Sequence, residues 1–261
     1  MKSISTLFIA LLLVIQPSRA NTFGTDMSDL WWNPSESGWG VNIIHQSDVL
    51  FLTFFVYGAD GKAIWYAAPN VPYASTNQGS LAFTGFLYQT SGPWLGGAFD
   101  PKAVTARQVG SVTFTATSTS AANLTYTVDN TQVSKAVVRQ TWRNNSLDGS
   151  YLGAETYTAT NCAAPYSDGT YTQVSYITIN NSESTFSFNT TDRGGTCAYT
   201  GNYTQAGRMG QSVGGFTCSD GTKGTFTAFE LESNPIGITG RINAQSQYCT
   251  SVVAKFAALR N

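Results

Sequence analysis

The sequence has few charged residues: Asp, Glu, Lys and Arg make up 11% of its 261 residues, against roughly 25% in an average globular protein. The formal net charge is −1, and no run of Lys or Arg occurs. A nucleic-acid partner requires a basic surface that displaces counterions from phosphates, so the composition excludes nucleic acid as a partner. Thr, Ser, Asn and Gly replace the missing charges, which is typical of an extracellular β protein.

Metal-binding residue types are also scarce. His45 is the single histidine, the four cysteines form no short Cys-x-x-Cys pair, and no acidic cluster is present. Zinc and other transition metals prefer imidazole and thiolate ligands, whereas calcium requires several oxygen ligands close together. We therefore expect no metal site and no cofactor.

The chain lacks an apolar run long enough for a membrane-spanning helix. Residues 7–15 are apolar, about half of the ~20 residues that a span requires. Lys2 precedes this run, and Ser18-Arg19-Ala20 follows it as a small-x-small cleavage site. The pattern predicts a signal peptide over residues 1–20, a mature chain from Asn21, and a secreted or periplasmic protein.

Cysteine is absent from the first half of the chain and tryptophan from the second. All six Trp residues and the single His precede residue 145, whereas all four Cys residues follow it. A polar stretch at residues 143–146 separates the two compositions. We therefore predict two domains of similar size, residues 21–145 and 146–261.

Both halves show the alternation of apolar and polar residues that is typical of short β-strands. The alternation in residues 39–46 places Trp39 and His45 on one strand face, and the apolar residues 49–57 indicate a buried strand. Asp60-Gly61 provides a hairpin turn after this strand. We expect the first strand to begin at Trp39 and residues 94–109 to be irregular. No segment has a capped helical period, so the sequence predicts an all-β protein of two consecutive small antiparallel β-barrels; paired β-sandwiches are the alternative.

The cysteine spacing predicts a specific disulfide pairing. Cys197 and Cys218 flank a hairpin whose turn is Gly207-Arg208, and equal steps from the turn place them opposite each other. Cys162 and Cys249 remain, near the first and last strands of the second domain. We predict structural disulfides Cys197–Cys218 and Cys162–Cys249 in an oxidising compartment.

Residues 30–40, LWWNPSESGWG, are the most unusual segment of the chain. Flat rings beside polar side chains favour a binding surface for a small molecule, glycan or protein at the mouth of the first barrel. The competing interpretation is a Trp plug that closes the barrel end, with Asn33-Pro34 as the turn before the first strand, and the frequent need of small barrels for such a plug favours it. The predicted ligand-binding residues are Trp31, Trp32, Asn33, Glu36, Trp39, Asn42, His45, Trp65 and Trp94.

No catalytic residue is assigned. The G-x-S-x-G string at residues 210–214 lacks the strand-turn-helix context and the downstream His of a nucleophile elbow. A chymotrypsin-like order with His45 and Ser212 lacks that family's flanking motifs. We therefore expect an exported, non-catalytic binding protein for a glycan, lipid or peptide. The alternatives are a secreted hydrolase that uses Glu36, with Asp29 or Asp48, or His45, and a structural or interaction module of the cell envelope.

Residues 31–40, followed by His45-Gln46 and a Phe-rich strand, resemble a segment of secreted proteobacterial proteins of unassigned function. This resemblance covers about the first domain and implies a bacterial exported protein without implying an activity. Gly38-Trp39 before a strand is also similar to lipocalin and avidin barrels, and this similarity implies a β-barrel.

Overall fold

The computed structural model describes residues 25–77 and 80–261. The predicted signal peptide and the start of the mature chain at Asn21 lie outside these residues. The described chain folds into two closed antiparallel β-barrels of eight strands each. The prediction of an all-β protein with two consecutive barrels is therefore confirmed, and the sandwich alternative is not formed.

In the first barrel each strand pairs with the next, and the last strand pairs with the first through Trp31 and Arg139. Its interior is filled by buried apolar side chains, among them Trp31, Phe54, Phe83 and Phe114. Its strands are β1 (Asp29–Trp32), β2 (Gly40–Gln46), β3 (Val49–Tyr57), β4 (Ala63–Asn77), β5 (Ser80–Ser91), β6 (Thr105–Ala116), β7 (Ala121–Val128) and β8 (Thr131–Arg139).

The second barrel repeats this up-and-down order, with the last strand pairing with the first. Its core includes Tyr151, Phe188, Tyr203 and Phe226. Its strands are β9 (Gly149–Cys162), β10 (Gly169–Asn181), β11 (Thr185–Asp192), β12 (Gly195–Ala206), β13 (Met209–Cys218), β14 (Lys223–Ser233), β15 (Gly237–Ser246) and β16 (Cys249–Arg260).

Helix is limited, in the part of the chain that the structure describes, to a single 3₁₀ turn at Pro101–Ala103. No described helix has the length and apolar character needed to cross a membrane.

Two disulfides reinforce the second barrel. Cys197 lies opposite Cys218 in the β12–β13 ladder, and Cys162 lies opposite Cys249 where β9 meets β16. Their Cα atoms are 3.9 and 4.1 Å apart, respectively. These are the two pairs that the hairpin spacing predicts, and the Cys162–Cys249 bond joins the two strands that close the barrel.

Each barrel is closed by an aromatic side chain from its first strand. The Trp31 indole donates a hydrogen bond to the Met27 carbonyl at 3.0 Å, and the Tyr151 hydroxyl donates to the Leu147 carbonyl at 2.8 Å. In both cases the acceptor lies four residues before the ring and belongs to a buried residue. The same bond therefore folds the segment before the strand across the end of each barrel.

An arginine from the last strand covers each of these rings. The Arg139 guanidinium carbon lies 4.8 Å from the centre of the Trp31 ring, and that of Arg260 lies 5.1 Å from the Tyr151 ring. Arg139 is buried, whereas Arg260 is exposed. The two halves thus share one closing arrangement, built from different aromatic residues.

The chain departs from the sequence-based strand boundaries in the first barrel. The first strand is β1, so Trp31 lies in a strand and Trp39 lies in the loop before β2. β1 has only four residues and gains its stability from pairing with both β2 and β8. The segment predicted to be irregular, residues 94–109, contains the start of β6 at Thr105.

Candidate functional site

The two ends of the first barrel differ. In an up-and-down barrel successive connections alternate between the ends, so residues 33–39, 58–62, 92–104 and 129–130 lie at the same end. We call this end the mouth. The opposite end is covered by residues 25–28, and we call it the closed end. The predicted binding residues divide between these two ends and the outer surface.

Apolar side chains form the floor of the mouth. Five hydrophobic side chains within three residues of a mouth connection are partly buried and pack against the barrel core. We call them the cup: Trp39, Val56, Ile64, Tyr126 and Val128. Below them the ring of Phe54 contacts Tyr126 edge-on at 5.2 Å. The barrel interior is therefore filled up to the cup, and a ligand at the mouth would lie across the barrel end.

One side of the cup is bordered by Glu36. Its carboxylate accepts a hydrogen bond from the Lys135 ammonium at 2.8 Å and one from the Trp39 indole at 3.1 Å. The hydrogen bond from Lys135 is the largest influence on the carboxyl group and lowers the pKa of Glu36. The turn that presents it is closed by the Glu36 amide donating to the Asn33 carbonyl at 3.0 Å. Glu36 is therefore an ionised hydrogen-bond acceptor in a fixed position.

A second ion pair lies at the mouth. Arg107 contacts Asp129 at 2.5 Å and donates to the side-chain oxygen of Gln89 at 2.9 Å. The bond from Arg107 lowers the pKa of Asp129. Each pair combines one cation with one anion, so the two pairs together carry no net charge.

The longest mouth connection, residues 92–104, carries exposed apolar side chains; we call it the mouth loop. Trp94 is 80% exposed and Leu95 83% exposed, and Phe99 is also exposed. A Cβ atom on Gly96 would lie 2.3 Å from the Trp94 ring, so a larger residue at position 96 would displace the ring from the loop backbone. One ring face is packed on the loop, and the other remains available to a ligand.

The structure brings only part of the predicted binding set to the mouth. Asn33, Glu36, Trp39 and Trp94 lie there, on the β1–β2 connection and on the mouth loop. Trp32, Asn42 and Trp65 occupy the alternate, outward-facing positions of their strands. Trp31 and His45 point into the barrel, towards the closed end.

Trp31 and His45 have structural roles in this fold. Trp31 is fully buried, and it fills the barrel as the plug interpretation of the tryptophan segment requires. The His45 side chain is 6% exposed, and its Nδ1 accepts a hydrogen bond from the Met27 amide at 3.2 Å. Burial lowers the pKa of His45, against the attraction of Asp26 3.8 Å away. Neither side chain is accessible to a substrate at the mouth.

The carboxylates considered as catalytic partners of Glu36 lie elsewhere. Asp48 is in the β2–β3 turn, at the far end of a seven-residue strand that rises about 3.3 Å per residue. Asp29 is at the closed end, 3.1 Å from Arg139. Ser212, the serine of the G-x-S-x-G string, is buried in the second barrel. The geometry thus offers Glu36 neither of the two carboxylate partners that the sequence suggested.

Other residues at the mouth were not found from the sequence. Lys135, Tyr126 and Arg107 come from β6–β8, and Lys135 is 99 residues from its partner Glu36. A local string such as residues 31–40 contains no information about these partners. Among the described residues, no group of three or more His, Cys, Asp or Glu side chains is arranged to hold a metal ion.

Comparison of the chain with models of protein families, with curated proteins and with solved structures finds no match.

Proposed function

We propose that this is an exported, non-catalytic binding protein whose ligand lies across the mouth of the first barrel. The observation that carries the proposal is the exposure of Trp94 (80%) and Leu95 (83%) on the mouth loop beside the cup. Large apolar side chains clustered on a surface mark interaction sites more often than isolated ones do. The predicted signal peptide and the two disulfides support export.

The filled barrel favours a ligand that binds on the surface. A fatty acid or another long acyl chain requires an enclosed apolar chamber, whereas the buried core of the first barrel extends up to the cup. A flat ligand can instead stack on the exposed face of Trp94 and contact the cup. This consideration favours a glycan or a peptide over a lipid.

The charge of the mouth favours a neutral ligand. Glu36 is paired with Lys135, and Arg107 is paired with Asp129. These paired groups retain lone pairs and N–H donors for hydrogen bonds but attract neither sign of charge strongly. Sugars combine apolar ring faces with hydroxyl groups, so we propose a neutral glycan as the ligand class.

Two tryptophan variants test the proposal. Trp94→Ala removes the stacking surface of the mouth loop, and Trp142→Ala is the matched control because Trp142 is 74% exposed on the segment between the barrels. Calorimetric titrations would use cello-, chito-, malto- and manno-oligosaccharides. We expect one series to bind and Trp94→Ala to weaken it about tenfold, the effect of roughly 1.4 kcal/mol of stacking. Trp142→Ala should leave the affinity unchanged.

Equal losses in the two variants, or no binding by any series, would refute the glycan proposal. Salt provides a second check, because binding of a neutral ligand should change less than about twofold between low and high ionic strength. Release of reducing sugar that Glu36→Gln abolishes would instead identify a hydrolase.

A second candidate function, an interaction module of the cell envelope, is favoured by a separate surface. Ile44 lies opposite Phe51, and Phe55 lies opposite Trp65, on the outside of β2–β4. These side chains are 39–54% exposed, and we call them the outer stripe. Concentration-dependent association that Trp65→Ser abolishes and Trp94→Ala does not would favour this function.

A further inference from the structure

A cavity lies where the two barrels meet, at the closed end of the first barrel and away from the mouth. We call it the joint cavity. Its volume is about 110 Å³, whereas the cavity inside the second barrel measures about 10 Å³. A water molecule needs roughly 10–15 Å³ on this measure. The joint cavity therefore has room for one small organic molecule or for several waters.

The walls of the joint cavity come from both barrels. The β6–β7 connection contributes Thr119 and Ser120, and the β12–β13 hairpin contributes Thr204 and Met209. Thr204 is exposed whereas Met209 is buried, so the cavity has an outer side that solvent reaches. Domain interfaces are a preferred location of small-molecule sites.

Hydrogen bonds between the barrels hold these walls in place. The Arg208 amide donates to the Asp29 carboxylate at 3.1 Å, and the Arg208 guanidinium contacts Asp26 at 2.6 Å. The Asn145 side chain donates to the Arg208 carbonyl at 3.1 Å. These contacts join the two barrels beside the cavity, and we call this region the joint.

Glu230 lines the cavity from an unusual backbone position. Its φ is +53°, a left-handed conformation that residues other than glycine rarely adopt. The β13–β14 and β14–β15 ladders both shift register at this point. Bulges and strained residues cluster at binding sites, where they direct a side chain that a regular strand would direct elsewhere.

The Glu230 side chain is charge-paired and almost buried. It is 10% exposed, lies 3.5 Å from Arg241, and accepts a hydrogen bond from the Thr25 hydroxyl. The buried Nε of Arg241 has no hydrogen-bond partner among the residues described, and buried donors of this kind are normally paired. The Glu230–Arg241 pair therefore carries no net charge, and the Arg241 Nε retains the capacity to donate a hydrogen bond.

We propose that the joint cavity binds a small neutral polyol through Glu230, Gln211 and the hydroxyl groups of the opposite wall. Hydroxyl, amide and carboxylate groups match the donors and acceptors of a polyol, and Met209 provides an apolar surface for its C–H groups. The pairing of Glu230 with Arg241 disfavours a charged ligand. This site is independent of the proposed glycan site at the mouth.

The test uses the full mature protein and two-dimensional ¹H–¹⁵N NMR titrations with glycerol, erythritol and xylitol. Saturable shifts should concentrate on the amides of Ser120, Gln211 and Glu230. Gln211→Ala, which truncates an exposed side chain, and Glu230→Gln should each weaken binding about tenfold. Gln245→Ala is the matched control, because Gln245 is an exposed strand glutamine outside the cavity. This variant should bind the polyols with unchanged affinity.

Shifts that are uniform and do not saturate would overturn the proposal and leave a cavity that holds water only. Saturable shifts that persist equally in Gln211→Ala would overturn it as well, because the polyol would then bind without the cavity side chains named here. Trp94→Ala separates the two sites, since it should weaken glycan binding at the mouth about tenfold and leave the polyol titration unchanged. Loss of the polyol shifts in Trp94→Ala would also contradict an independent joint site.

Discussion

The two barrels share one closing arrangement, but its two arginines, Arg139 and Arg260, differ in burial. We therefore expect the same substitution at the two positions to have unequal effects on stability. Arg139→Met and Arg260→Met retain the length of the aliphatic side chain and remove the charged group. The Arg139 side chain is 0% exposed and is ion-paired with Asp29 at 3.1 Å. Arg260 is exposed and donates to the Asp148 carbonyl and to the Tyr151 hydroxyl, both at 2.9 Å.

The expected losses follow from these partners. Removing one member of a buried ion pair costs about 3–5 kcal/mol, because the remaining charge is left desolvated. Asp29 retains the Arg208 amide as a hydrogen-bond donor at 3.1 Å, so we expect the lower part of that range for Arg139→Met. The exposed Arg260 contributes about 1–2 kcal/mol through its hydrogen bonds and its contact with the Tyr151 ring.

Urea unfolding followed by Trp emission measures the first barrel, because all six Trp residues precede residue 145. Hydrogen exchange measured by mass spectrometry resolves the second barrel. Arg139→Met should reduce the free energy of unfolding of the first barrel more than Arg260→Met reduces that of the second. Equal losses, or a larger loss for Arg260→Met, would contradict the expected effect of burial.

Two further predictions concern the disulfides and pH. Replacing Cys162 and Cys249 by Ala should lower the free energy of unfolding by about 4–5 kcal/mol, and replacing Cys197 and Cys218 should lower it by about 3 kcal/mol. The first loss is larger because that bond closes a loop with a sequence separation of 87 residues, against 21 for the second. The reverse order of the two losses in urea unfolding would contradict this prediction. Burial lowers the pKa of His45 below its ordinary value of 6.5, so its contribution to stability is complete above that pH and is lost as the pH falls towards the folded-state pKa. His45→Gln should therefore flatten the loss of stability below pH 6.5; identical pH profiles would show that His45 is not responsible.

Much of the architecture is encoded locally and can be predicted from the sequence. Alternating side chains specify the two faces of a strand, and turns such as Asp60-Gly61 and Gly207-Arg208 specify which strands become neighbours. The pairing of Cys197 with Cys218 follows from the same hairpin symmetry. These features require no knowledge of residues distant in the chain.

Strand β1 was missed because its stability is not local. Four residues are too few to give a pattern, and the following Asn33-Pro34 suggests a turn. The strand forms because β2 and β8 provide partners on both sides and because the Trp31 ring enters the core. Closure of the barrel, which no short segment encodes, determines this element.

The sequence indicates only part of the candidate site for the same reason. The string of residues 31–40 contains Glu36 and Trp39, which lie together because they share one loop. Lys135 reaches that loop only when β8 closes the barrel against β1. The left-handed Glu230 depends on register shifts in two ladders, and no residue pattern near position 230 indicates them.

The most direct test of a ligand site at the mouth is an NMR titration of the tryptophan indole N–H signals with the oligosaccharide that binds. We expect the signals of Trp94 and Trp39 to shift together and saturate, while those of the buried Trp31 and of Trp142 remain in place. A saturating shift of Trp65 on the outer stripe, with Trp94 and Trp39 unchanged, would contradict a ligand site at the mouth.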